Sequence, residues 1–258
     1  MNKTTLMAVA LATCLGYVPA GAAEVVSSNV VGYQKLSIPA GGYALLANPF
    51  TVVGSDGETF PINDMFADDV GQSTEGRTAG LGDRIQVWNS ATQGYTTYFM
   101  SSFVHAWAGS NPRQAATEAF DAGDGYWYQN RGQSAFELTV SGEVATNDVE
   151  VTLVPGYTLV CNPFPADIPL NSESIDWVSA GATEGRTAGL GDRIQVWDAA
   201  TQGYTTYFMS SFVHAWAGSN PRQATAESIP AGKAFWYQNR GNSNITITLR
   251  SPLAATQN

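Results

Sequence analysis

Residues 74–115 and 183–224 are identical at 40 of 42 positions, at an offset of 109; only Asn89 against Asp198 and Ser90 against Ala199 differ. Such a run constrains the fold more than any single motif, because whatever one copy forms the other must form too. The likeness continues more loosely on both sides. Gly125–Gly132 faces Ala234–Gly241 at the same offset, and Gly42–Phe50 faces Gly156–Phe164 at an offset of 114. The first copy therefore carries five extra residues around Val53–Gly57, where a surface loop is the natural host. Each copy has about 110 residues, a usual domain size. The expected organisation is a signal peptide at 1–23, a first module at 24–143 and a second at 144–258, with the boundary near Ser141–Asp148.

Short runs rich in Val, Ile, Thr and aromatics alternate with Gly, Asn, Asp and Pro turns, which predicts strands throughout. In the first copy these are Val30–Ser37, Tyr43–Asn48, Arg84–Asn89, Tyr95–Met100, Phe103–Ala106, Gly125–Asn130 and Phe136–Val140. The second repeats the set and ends in Ile245–Leu249, where Ile and Leu alternate with Thr as in a strand with one buried face. Residues 89–94 read as a hairpin loop, with Gly94 available for a positive φ. Helical signals are limited to a turn at Pro61–Phe66 and its counterpart Ser172–Val178. The expected fold is all-β: two tandem small β-sandwich or barrel modules.

The first residues have the form of a secretory signal. Lys3 supplies the positive region, Leu6–Val18 an apolar run too short to span a membrane, and Ala20-Gly21-Ala22 the small residues before cleavage. The mature chain is expected to start at Ala23 or Glu24. Lipidation at Cys14 is the lesser reading, because Thr13 stands where Gly, Ala or Ser is usual. Processing would remove Cys14 and leave Cys161 alone, so stability must come from packed cores and not from an internal disulfide. It would also leave 11 basic and 22 acidic residues. That balance argues against nucleic acid and anionic membrane surfaces as partners. No later run approaches the length of a membrane-spanning helix.

Sites for chemistry are sparse. His105 and His214 occupy equivalent places, and Ser101, Ser102 and Asp83 supply a serine-type set on paper, but no nucleophile elbow accompanies them. A structural role is the simpler reading, and no enzymatic activity is expected. Asp121–Gly125 looks like a fragment of a calcium loop without its spaced carboxylates, and its counterpart Pro230–Ala234 has no acids. No cofactor is expected. Calcium stays open through acids such as Glu75, Asp83, Asp64 and Asp68, with no site singled out. The aromatics are the richest set. Alternation puts Trp88 on the face opposite Ile85 and Val87, and Trp127 opposite Tyr126 and Tyr128. Trp88, Tyr98, Trp107, Trp127, Trp197, Tyr207, Trp216 and Trp236 are the candidates for a protein interface or a glycan platform.

At Gly42–Phe50, Val87–Tyr98 and Pro230–Tyr237 the chain resembles a module found in secreted bacterial proteins. Ser27–Tyr33 resembles the mature start of such proteins of the verrucomicrobial type. The resemblance implies export and a β fold, and no particular activity. The resulting expectation is a secreted or cell-surface structural protein that self-assembles into a homo-oligomer, filament, tube or layer. Its assembly strand would be the segment containing Val25, Val26, Val30 and Val31, added to a neighbour's open sheet edge. The alternative is a tandem carbohydrate-binding module with polysaccharide as partner.

Overall fold

A computed structural model describes residues 31–53, 59–121, 123–172 and 175–252, the side chains of 68–70 excepted. The chain is nearly all β, 46% strand against 3% helix, and its sheets are antiparallel. Most of the five-residue difference between the copies (residues 54–57) and Val25, Val26 and Val30 lie outside the described residues.

In the first half, β1 (Val31–Ile38), β2 (Tyr43–Ala47), β3 (Phe50–Thr51), β4 (Phe60–Pro61), β5 (Arg84–Asn89), β6 (Gly94–Ser101), β7 (Ala106–Ala108), β8 (Ala119–Phe120), β9 (Gly125–Gln129) and β10 (Phe136–Val144) follow one another. They form a five-stranded sheet ordered β2-β9-β5-β6-β7, a three-stranded sheet β1-β10-β3 and a short pair β4-β8. The second half contains β11 (Val149–Leu153), β12 (Gly156–Cys161), β13 (Ile168–Pro169), β14 (Arg193–Asp198), β15 (Gly203–Ser210), β16 (Ala215–Ala217), β17 (Ser228–Ile229), β18 (Ala234–Asn239) and β19 (Ile245–Leu249). Its five-stranded sheet runs β12-β18-β14-β15-β16, with pairs β11-β19 and β13-β17. The same order recurs, except that β19 has no equivalent of β3 beside it among the described residues.

Each half packs its two main sheets around one core. Leu36 and Ile38 of β1 and Leu138 and Val140 of β10 meet Leu46, Ile85, Met100, Trp107, Tyr126 and Tyr128 of the five-stranded sheet. Leu153, Ile245, Ile247 and Leu249 meet the equivalent residues of the other sheet. This arrangement is the sandwich form that period-2 burial demands.

Three expectations need correction. Phe103–Ala106 is not a strand: residues 102–105 turn, with His105 at φ +51°, and β7 starts only at Ala106. The turn is closed by the His105 amide donating to the Ser101 carbonyl at 2.9 Å. The predicted helical turn is present at Ile62–Met65, but its counterpart has no helix among the described residues. There Trp177 takes the core place that Phe66 has in the first half. Trp177 packs against Trp216 and Tyr237, its indole N–H donating to the Leu170 carbonyl. In the hairpin the positive φ falls on Gln93 (+51°), one residue before Gly94.

Candidate functional site

The face of each five-stranded sheet that leaves its own core is covered in part by the other half. Leu45, Ala47 and Trp127 of the first half pack with Cys161, Ala234 and Trp236 of the second, flanked by Tyr43, Trp88, Tyr157, Leu159 and Trp197. The contacts come in matched pairs. Trp88 meets Trp236 at 5.1 Å between ring centroids, and Trp197 meets Trp127 at 5.0 Å. Tyr95 lies 6.3 Å from Trp236, and Tyr204 lies 6.3 Å from Trp127. All four are edge-to-face, the arrangement that the ring quadrupole favours. The halves are thus related by a pseudo-two-fold axis and clasp through one surface used twice, as in an isologous dimer.

Polar contacts follow the same symmetry. The Trp88 indole donates to the Tyr157 carbonyl, and the Trp197 indole to the Tyr43 carbonyl, each at 3.0 Å. The Gln93 side chain grips the Tyr157 backbone twice, donating to its carbonyl and accepting from its amide, both at 2.9 Å. Gln202 does the same to Tyr43, at 2.9 and 2.8 Å. Burying a large apolar side chain stabilises by about 1.5–3 kcal/mol, against about 1 kcal/mol net for a hydrogen bond. The rings therefore hold the halves together, and the glutamines set their register.

This placement corrects the platform expectation. Trp107 and Trp216 are fully buried inside the two cores and present no face to a sugar. Tyr98 and Tyr207 are buried as well; Tyr98 donates to Glu118 at 2.7 Å, and burial pushes its hydroxyl pKa up. Trp127 and Trp236 are covered by the opposite half, and Trp88 and Trp197 are half-buried there. Alternation identified the rings that leave the core, but their cover comes from the chain itself. Val31, expected in a free assembly strand, is already in β1, paired with Glu143 of β10.

The groups of the paper triad are placed apart in their bonding. Asp83 is buried, accepting from the Tyr128 hydroxyl at 3.0 Å and the Arg131 amide at 2.7 Å, and desolvation holds its pKa above the usual carboxylate range. The Ser101 hydroxyl donates to the Pro112 carbonyl. His105 is exposed and meets Glu75 at 2.8 Å, as His214 meets Glu184. Asp83 and Ser101 fasten loops to the sheet, and the His–Glu pairs lie on the surface. Asp124 accepts the Asp121 amide at 2.8 Å in a turn with Gly123 at φ +96°. Among the described residues no three His, Cys, Asp or Glu groups converge as metal ligands, and no helix is long and apolar enough to cross a membrane. Cys161 is buried without a disulfide, and desolvation raises its thiol pKa well above the ordinary value.

The clasp is not closed throughout. Trp88, Tyr95, Tyr157, Gln195, Tyr204 and Trp236 line a cleft of about 250 Å³. Tyr95 and Tyr204, its symmetry-related members, are 46% and 44% exposed. The sequence pattern placed Tyr95 at the start of a strand but singled out neither it nor Tyr204 as a site residue. The available signal was its in-register position opposite Trp88 in the hairpin. Compared with known proteins, the chain matches no family model, no curated protein and no solved structure.

Proposed function

We propose that this chain is a non-enzymatic, exported structural subunit that assembles by pairing sheet edges between copies. The observation that carries the reading is the state of the two outer ladders. Among the described residues, β1 is an eight-residue edge strand without proline and with a single ladder neighbour, β10. Its outward face exposes Val31 (58%) and Tyr33 (74%), with Lys35 as the one charge. Natural edges are usually shortened, charged or broken by proline; one that is not is a template for another chain. In the second half β19 has, among the described residues, no neighbour equivalent to the β3 that lies beside β10. Pairing β1 of one copy with β19 of the next joins unlike surfaces, so the contact propagates unless its rotation closes a ring. The donor in this reading is β1 as a whole, already folded on its own sheet. The signal-like first residues and the scarcity of charge, 13% of residues, support an exported structural role.

Sedimentation velocity and negative-stain electron microscopy of the 24–258 protein test this. Oligomers or polymers that grow with concentration are expected. Replacing exposed Val31 and Tyr33 together by Lys is expected to weaken association by about tenfold or more, since inserted edge charges oppose pairing. A strictly monomeric protein at high concentration, with or without calcium, overturns the proposal.

A further inference from the structure

The cleft at the clasp leaves aromatic surface that the contacts above do not cover, with Tyr95 and Tyr204 46% and 44% exposed. Its walls are aromatic faces and edges from both halves, and Gln195 from β14 supplies an amide among them. Tyr95 also lines a second, larger groove of about 780 Å³, which runs along β6 past Thr97 to Arg77 and Ser110. The two spaces adjoin at this ring. In the second half Arg186, Thr206, Tyr204 and Ser219 repeat these residues at the offset of 109 with the same burial classes. Cleft and groove thus share Tyr95, and Tyr204, which also lines the cleft, holds the equivalent position in the second half.

We propose that this surface binds a neutral polysaccharide chain, one per protein molecule, laid across the pseudo-two-fold axis. Aromatic rings with a polar tip give pyranose rings an apolar face to stack on and a hydroxyl to meet at the edge. Side-chain amide, hydroxyl and guanidinium groups beside them are the small polar set that orients a ligand in a mostly apolar site. The formal charge of −10 disfavours polyanionic glycans. Tyr95 and Tyr204 are the symmetry-related pair in the cleft, so a glycan chain that uses both rings makes one shared site, not one per module. This inference does not rest on the assembly proposal, and it can be read on the Val31→Lys, Tyr33→Lys protein as well as on the wild type.

Isothermal titration of the 24–258 protein with cellohexaose, xylohexaose and mannohexaose is the test. At least one probe is expected to bind with about one molecule per chain. Tyr95→Ala and Tyr204→Ala are each expected to weaken binding by about tenfold without changing the stoichiometry, as loss of one stacking face requires. Tyr95→Phe keeps the ring and is expected to stay within about threefold of wild type. Thermal unfolding of each variant separates loss of the site from loss of the fold. Three results overturn the proposal: no binding of any probe, two molecules per chain with single variants halving that number, or alanine variants that unfold like wild type and bind unchanged.

Discussion

At Gln93 and Gln202 the backbone enters the left-handed region, φ +51° at each, where a residue with a Cβ pays about 1 kcal/mol that glycine does not. Each side chain offsets that cost by holding the backbone of a tyrosine in the other half. The two substitutions at Gln93 should therefore differ. Gln93→Ala keeps the strain and loses both bonds, and should destabilise by about 1–3 kcal/mol. Gln93→Gly loses the bonds but relieves the strain, and should cost about 1 kcal/mol less. Urea unfolding of both proteins checks the order; equal losses would mean that the conformation carries no strain. Sequence reading placed the positive φ at Gly94, because glycine is the ordinary occupant. At Gln93 that conformation accompanies the bonds to Tyr157, 64 residues away, which no local pattern reveals.

At the level of strands, β2 and β9 bury both faces, one in their own core and the other in the clasp, and β5 half-buries its second face there. The alternation in Arg84–Trp88 and Tyr126–Tyr128 made the split legible, since period two is a local property. What covers the second face was not legible: the Trp197 indole donates to Tyr43, 154 residues earlier. The clasp also shows compensated packing. A Cβ on Gly125 would stand 2.8 Å from Cys161 Sγ and 2.8 Å from a Leu159 methyl. At the symmetry-related place the pair is Ala234 and Ala47. Gly125→Ala alone overpacks the interface and should cost about 1–3 kcal/mol. Adding Cys161→Ala re-creates the pair of the other side and should recover most of it. A double-mutant cycle by urea unfolding measures this; a second substitution that adds its own loss without recovery would contradict the pairing.

For the whole molecule, the repeat announced two equivalent units, and the repeated sheet order agrees with it. The unexpected element is that the units complete each other, by turning their aromatic faces together and leaving a cleft in which Tyr95 and Tyr204 stand together. Two nearly identical halves would melt at nearly the same temperature even if they were independent, so a single transition by itself is no proof of coupling. The size of the cooperative unit is. Differential scanning calorimetry of the 24–258 protein, in the variant with Lys at 31 and 33 so that association does not intervene, compares the van't Hoff with the calorimetric enthalpy. The clasp predicts a ratio of about one, the whole chain unfolding together; a ratio of about one half, each half unfolding alone, would contradict it.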